Sequence, residues 1–363
     1  MSSASNRFEA IVPALSPEAL DVVRAMNFTV MTPVQATAIP LFLSNKDVCV
    51  EAVTGSGKTV AFGIPIYELL MRHKDNLGSH DIGALVIAPT RELASQIYTV
   101  LQTFSKHYKP FRVVLCVGGS DVGQSCDDFI KHGANIVVGS PGRIMDIKNR
   151  LGDTLSFKKL EVLVLDEADT LLDMGFKETV SQILGLLPKQ RRTGLFSATQ
   201  TKEVRELARA GLRNPVTVSV KVNVASGQAA GKGDGSSSSG SGVVSRHQTT
   251  PSTLDNLFMV AEYENRPYEL LRFVNDRASD KIVVFCATCA CVDYYSLVFD
   301  KLSSESATSS LGAPLLQNKL HVLGLHGKMV QKKRTGVYNT FLKGDGGVLF
   351  CTDVSWGGLT KNV

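Results

Sequence analysis

Residues 52–59 read Ala52-Val53-Thr54-Gly55-Ser56-Gly57-Lys58-Thr59, with two glycines, a lysine and a hydroxyl residue inside one short run. Glycines let a backbone approach a bulky anion, and N–H groups at a helix start cradle its oxygens. Lys58 then offers a positive charge to terminal phosphates, and Thr59 offers a hydroxyl to Mg²⁺. The general phosphate-loop pattern opens with glycine, whereas Ala52 stands first here. Further on, an apolar run delivers Asp166-Glu167-Ala168-Asp169. Asp166 suits a Mg²⁺ ligand, directly or through water, and Glu167 suits the group that orients and polarises an attacking water. Alone, such a tetrapeptide also reads as an acidic helix start. Upstream of both, Gln35 carries one donor and one acceptor that match N6 and N7 of adenine. Phe28 could stack on that base, although its segment would also pass for a loop with a core aromatic. The set Phe28, Gln35 and 52–59 predicts ATP, with Lys58, Thr59, Asp166 and Glu167 as the catalytic group.

These residues need strand ends to hold them. From residue 47 onward, short Val/Ile/Leu-rich runs alternate with helix-length amphipathic segments. Strands are predicted at 47–53, 82–88, 112–117, 135–139, 160–166, 193–197 and 216–220, with the clearest helices at 59–72 and 91–106. Nearly continuous apolar runs are those of strands covered on both faces. Their alternation with helices predicts a parallel sheet wrapped by helices, an α/β fold. Residues 225–252 include a Gly/Ser-rich stretch unable to offset its chain entropy by burial, which reads as a flexible linker. Beyond it the alternation resumes, with strands at 254–260, 281–286, 319–325 and 347–352 and helices near 267–275, 288–302 and 331–341. Residues 303–318 read as a surface insertion. The domains are thus 1–224, a linker at 225–252, and 253–363.

The chain has 363 residues, 44% of them hydrophobic, a formal net charge of +5 and seven cysteines. That length and apolar content support about two domains with buried cores. The modest positive charge is compatible with a phosphate-bearing partner. An odd number of cysteines in a chain this large reads as reduced thiols. Cys286, Cys289 and Cys291 fall together without a second ligand pair nearby, so no structural metal is expected. No basic flank with an apolar run opens the chain, and no run reaches membrane-spanning length. The expectation is a soluble cytoplasmic or nuclear protein with no membrane partner.

Taken in order, the motifs resemble those of DEAD-box RNA helicases: Phe28 to Gln35, 52–59, Pro89-Thr90-Arg91-Glu92-Leu93, Gly118-Gly119, Ser140-Pro141-Gly142-Arg143, Asp166 to Asp169 and Ser197-Ala198-Thr199. Val283-Val284-Phe285-Cys286, His326-Gly327, Gln331-Lys332-Lys333-Arg334 and Cys351-Thr352-Asp353 continue the resemblance into the second domain. It implies two RecA-like parallel-sheet domains in tandem that close on ATP and RNA. It further implies backbone contacts to RNA from Pro89, Thr90, Arg91, Gly119, Pro141, Gly142 and Arg143, with Thr352 in the second domain. Arg91 and Arg143 can each fork onto a phosphate. Such contacts are nearly sequence-independent and salt-sensitive. Ser197 and Thr199 would couple the nucleotide site to the closed state through hydrogen bonds to Asp169 or Glu167, with Asp169 as the third coupling residue. Capping of the following helix by Ser197 or Thr199 is compatible with that role. Gln331 and Arg334 share a helix face suited to RNA or to the facing domain, and a solvated basic face is the competing reading. The wording of residues 31–42, 45–48, 51–59 and 288–295 resembles the nucleolar helicases that assemble the large ribosomal subunit. That branch implies pre-ribosomal particles as partners, a nuclear and nucleolar location, and cysteines that are branch wording.

The match fails at 353–363. Gly357 stands where the family has an arginine, and Thr360 where it has an aspartate. The arginine-rich motif that would follow is absent, so the second domain reads as incomplete. Arginine fingers contribute roughly 10³–10⁵-fold in rate. The leading expectation is an ATP-dependent RNA helicase. A hydrolysis-deficient ATP- and RNA-binding fragment is the alternative, and a nucleoside triphosphatase acting on DNA or protein is a third class.

Overall fold

Each apolar run expected ahead of the 225–252 break becomes a strand. The computed structural model describes residues 6–109, 111–119, 122–219, 255, 257–303 and 320–352. The strands are β1 (Val48–Glu51), β2 (Ala84–Ile87), β3 (Val113–Cys116), β4 (Ile136–Gly139), β5 (Val162–Leu165), β6 (Arg192–Ser197) and β7 (Val216–Ser219). They form one seven-stranded sheet in the order β3-β4-β2-β5-β6-β1-β7, with every pairing parallel. All four residues of β2, of β4 and of β5 are buried. Helices cover these central strands on both faces, which is why their sequences do not alternate.

Two helices precede β1: α1 (Pro17–Ala25) and α2 (Pro33–Leu43). The second begins inside the segment, residues 27–35, that would pass for a loop in sequence. Thr32 and Gln35 close a reciprocal capping box at its start, and Pro40 is accommodated inside it. The helices that follow strands are α3 (Lys58–Arg72), α4 (Arg91–Ser105), α5 (Val122–His132), α6 (Pro141–Leu151), α7 (Ala168–Asp173), α8 (Lys177–Leu186) and α9 (Lys202–Gly211). Ser16 caps α1 and hydrogen-bonds Glu68 and Tyr108, whose hydroxyl donates to Glu68 at 2.6 Å. This pins the N-terminal segment to α3. At the opposite edge from the strand ends, buried Asp47 accepts the amides of Thr193 at 3.0 Å and Arg213 at 2.7 Å. It thereby ties the start of β1 to β6 and to the approach to β7.

The chain divides into two compact units, and the second holds a three-stranded parallel sheet. Its strands are β8 (Lys281–Phe285), β9 (Val322–Leu325) and β10 (Gly347–Cys351), in the order β8-β10-β9. Its helices are α10 (Arg266–Asp276), α11 (Cys289–Ser303) and α12 (Gln331–Lys343). Val274, Val292, Phe299 and Phe350 pack on one face, while Leu325, Phe341, Leu349 and Cys351 pack on the other. One expected strand is corrected. Residues 257–260 have no strand pairing, and Leu257 and Phe258 are about nine-tenths exposed. An apolar run becomes a strand only where a neighbouring edge accepts its hydrogen bonds. The linker at 225–252, residues 304–318 of the expected insertion and the divergent segment 353–363 lie outside the described residues.

Candidate nucleotide site and nucleic-acid interface

Strand order places β5, β6 and β1 side by side, and each ends in one piece of the expected phosphate machinery. From β1 the chain turns through 52–57 into α3. Gly55 and Gly57 adopt φ of 82° and 90°. Side chains at such angles are strained, so glycine is needed at both. At Gly57 the space is also taken: a Cβ would lie 2.6 Å from Gln35 Nε2. The Ser56 hydroxyl donates to the Val53 carbonyl at 2.7 Å and tightens the turn. Lys58 is 1% exposed, and its Nζ donates to the Ala52 carbonyl at 3.1 Å. Val53 and Thr54 are half-buried, while Ala52 and Thr59 are buried.

Asp166 follows β5 and is fully buried. Its Oδ1 accepts the Glu167 amide at 3.1 Å, and its Oδ2 makes no hydrogen bond. A buried carboxylate oxygen without a donor is costly unless a cation answers it. Together with the Thr59 hydroxyl, that oxygen is chemically suited to Mg²⁺, a hard cation that takes oxygen ligands. Glu167 occupies the left-handed region at φ 50° and begins α7. A non-glycine residue there is uncommon, and such strain concentrates at working sites.

Ser197, at the end of β6, joins both neighbours. Its carbonyl accepts the Ala52 amide at 3.0 Å, and its hydroxyl accepts the Asp169 amide at 3.3 Å. Asp169 Oδ2 in turn accepts from the backbone and hydroxyl of Thr199, at 2.9 and 2.8 Å. The three residues expected to couple the site therefore form one hydrogen-bonded chain centred on Asp169. Helix α9 is capped instead by Thr201.

Gln35 lies at the third position of α2. Its Oε1 accepts the Thr32 amide at 3.0 Å and its Nε2 donates to the Gly57 carbonyl at 3.1 Å. A primary amide has two N–H groups and two lone pairs, so one of each remains for a base. Thr32 was missed as a contributor, although its Thr-x-x-Gln spacing is a capping signal. Phe28 is 40% exposed, which favours a stacking surface over a core aromatic.

The loops after β2, β3 and β4 carry the residues expected to touch RNA. These strands fill the other half of the same sheet edge. Pro89 is buried, and Thr90 caps α4 by accepting the Leu93 amide at 3.2 Å. The Arg91 guanidinium lies so close to Gly118 that a Cβ there would sit 2.7 Å from it. Gly119 adopts φ 90°. Pro141 opens α6, and a Cβ on Gly142 would meet nothing within 4 Å. Arg143 is only 6% exposed and donates through Nε to the Val117 carbonyl at 3.1 Å. It braces the Gly118-Gly119 loop from inside through Nε, and the resemblance implies that it also forks onto a phosphate. In the second unit, Gln331 and half-buried Arg334 open α12, and buried Thr352 follows β10.

A parallel sheet whose C-terminal edge holds a phosphate loop, a buried acidic pair and a serine-threonine relay defines a helicase-type nucleoside-triphosphate-binding domain. The DEAD/DEAH box helicase family model matches residues 32–207, and the helicase conserved C-terminal domain model matches 265–362. The chain belongs to the DEAD-box helicases. It is 45% identical to ATP-dependent RNA helicase DDX55 of Mus musculus over 351 residues, 96% of this chain and 53% of that protein. It is 44% identical to DEAD-box ATP-dependent RNA helicase 18 of Oryza sativa subsp. japonica over 353 residues, 97% of this chain and 51% of that protein. The solved structure of Mss116p bound to ssRNA and AMP-PNP superposes with a TM-score of 0.79 at 25% identity, covering 99% of this chain and 68% of that one. The chain spans about half the length of the curated relatives it matches.

Proposed function

We propose that the chain is the core of an ATP-dependent RNA helicase, in which ATP hydrolysis is coupled to RNA binding and local strand separation. One observation carries this reading: a single sheet edge is divided between phosphate machinery on β5-β6-β1 and candidate RNA loops on β3-β4-β2. The halves meet where β5 pairs with β2, and the Asp166 amide donates to the Ile87 carbonyl at 2.9 Å. Gln35 and Phe28 would read adenine, and residues 52–59 would hold the phosphates. Mg²⁺, held by Thr59 and Asp166, would neutralise charge on the terminal phosphates. Glu167 orients water, and Asp169, Ser197 and Thr199 join the acidic pair to the phosphate loop. RNA would be held along its backbone by the loops carrying Pro89, Thr90, Arg91, Gly119, Pro141 and Gly142, with Gln331, Arg334 and Thr352 contributing from the second unit. Domain limits of 1–224 and 253–363 are part of the same proposal. The names of the mouse and rice relatives support the activity, as does the RNA-bound state of Mss116p.

The test is ATP turnover by the purified chain with and without single-stranded RNA, beside Lys58→Ala. RNA-stimulated turnover abolished by Lys58→Ala is the expected result. Turnover indifferent to RNA but stimulated by DNA or protein would overturn the substrate class. Nucleotide binding without any turnover would overturn the catalytic reading.

The finer role we propose is ribosomal RNA maturation within pre-ribosomal particles of the nucleolus. It is supported by the wording of 31–42 and 288–295. A tagged chain excluded from the nucleolus would overturn it.

A further inference from the structure

The proposed cycle makes no use of Cys286, Cys289 and Cys291, although the sequence singles them out. Cys286 follows β8 directly, and α11 begins at Cys289, so all three thiols belong to one strand-to-helix turn. All are half-buried and none is joined in a disulfide. Among the described residues, no group of three or more His, Cys, Asp or Glu is placed to hold a metal ion. Thiol chemistry remains.

The turn is closed by Thr288, whose hydroxyl accepts the Cys291 amide at 3.2 Å. Cys291 and Tyr295 stand four apart on α11 and so share a face. The Tyr295 ring stacks on Phe350 with centroids 5.9 Å apart, and Tyr295 and Cys286 pack against the same apolar cluster. Burial first, and then charge at Cys291, pushes the Cys286 thiol above its ordinary range. Cys286 and the α11 face that Cys291 shares with Tyr295 thus meet at one apolar cluster. Cys351 packs in the cluster on the opposite sheet face. The turn is also joined to the RNA candidate of this unit: the Cys286 amide donates to the Cys351 carbonyl at 2.7 Å, and Thr352 is the next residue.

We propose that Cys286 and Cys291 form a redox-responsive dithiol, which a peroxide closes to a disulfide that weakens RNA binding at this sheet edge. The consequence for RNA rests on the function proposed above. The Cys291 thiolate attacks a peroxide oxygen, breaking the O–O bond to give a sulfenic acid and, once protonated, water. The Cys286 thiolate then attacks the sulfenyl sulfur, the S–S bond forms, and the S–O bond breaks to release a second water after protonation. Two thiols lose two electrons and one hydrogen peroxide gains them. Burial makes Cys286 the slower nucleophile, so Cys291 reacts first. A disulfide holds its two Cα atoms within about 7 Å. Closure therefore fixes the geometry of a turn whose two ends carry the Thr288 cap and the Cys286–Cys351 hydrogen bond.

The experiment treats the purified chain with hydrogen peroxide, maps peptides without reduction, and titrates fluorescent single-stranded RNA before oxidation, after it, and after dithiothreitol. Expected are a Cys286–Cys291 linked peptide and a several-fold loss of RNA affinity that dithiothreitol reverses. Cys286→Ser and Cys291→Ser should keep their affinity in peroxide, and Cys289→Ser should not. Recovery of both residues as thiols, linkage through Cys289 or Cys351, or linkage with unchanged RNA affinity overturns the proposal. A reduced chain that fails to bind RNA overturns the RNA reading instead, and the peptide map still decides the dithiol.

Discussion

Gln35 serves the local chain and a base with one amide. Half of its hydrogen-bonding capacity closes the α2 capping box and holds the Gly57 carbonyl. A helix cap contributes about 1 kcal/mol, and the bond to Gly57 fixes the residue that begins α3. Gln35→Ala should therefore weaken ATP binding at two levels, through loss of base contacts and through a looser phosphate loop. Isothermal titration with ATP and with inorganic triphosphate separates them. Weaker binding of both ligands is the expected outcome, with the larger loss for ATP. An unchanged triphosphate affinity would show that the Gly57 contact carries no weight. Arg143 teaches the complementary lesson. The resemblance implies a phosphate fork, and the structure adds a bond from its Nε to the Val117 carbonyl inside the domain. Side-chain chemistry was legible there, while direction was not.

At the scale of elements, two contacts decide whether the strand ends are presented correctly. Asp47 gathers the Thr193 and Arg213 amides at the start of β1. Asp47→Ala leaves the buried Thr193 amide without that acceptor, at about 1–3 kcal/mol, and frees the Arg213 amide, which belongs to an exposed residue. A clear fall in the urea midpoint of the first unit is expected, and an unchanged midpoint would contradict this account. On the other edge, Gly118 leaves room for the Arg91 guanidinium. Gly118→Val should displace Arg91 and lower RNA affinity while ATP affinity stays near wild type. An equal loss of both would mean that the substitution disrupts the sheet and not the loop. Helix α2 shows why element boundaries escape a periodicity reading. Its Pro40 and its apolar surface on several sides hide a helix that the Thr32-x-x-Gln35 box announces.

For the molecule as a whole, the expected RNA contacts are mostly to the backbone, so binding should weaken with salt. Each phosphate contact to a single strand contributes about −0.7 to the slope of log K against log salt. Arg91→Ala should lower the magnitude of that slope by about one such contact. Fluorescence titrations at several salt concentrations measure it, and an unchanged slope would remove Arg91 from the interface. The fold class and all seven strands of the first sheet were legible because strands buried on both faces carry continuous apolar runs. The run at 254–260 looked the same in sequence, yet its described residues 257–260 do not pair, because hydrogen-bonding neighbours are a property of the assembled sheet.

By itself, the sequence determined which chemistry is present. The phosphate loop, the acidic pair and the order of the motifs depend on residue type and on spacing within single loops, and both are local. Only the tertiary structure decided how that chemistry is shared out. Strand order in the sheet is set by which crossover packs against which face, and no residue records it. That order alone places Asp166, Ser197 and the loop leading to Lys58 at three adjacent strand ends and the RNA candidates after the next three. It also turns Arg143 inward and joins Ser197 to both the phosphate loop and α7, because burial and hydrogen-bond satisfaction are settled only once the neighbouring elements are in place.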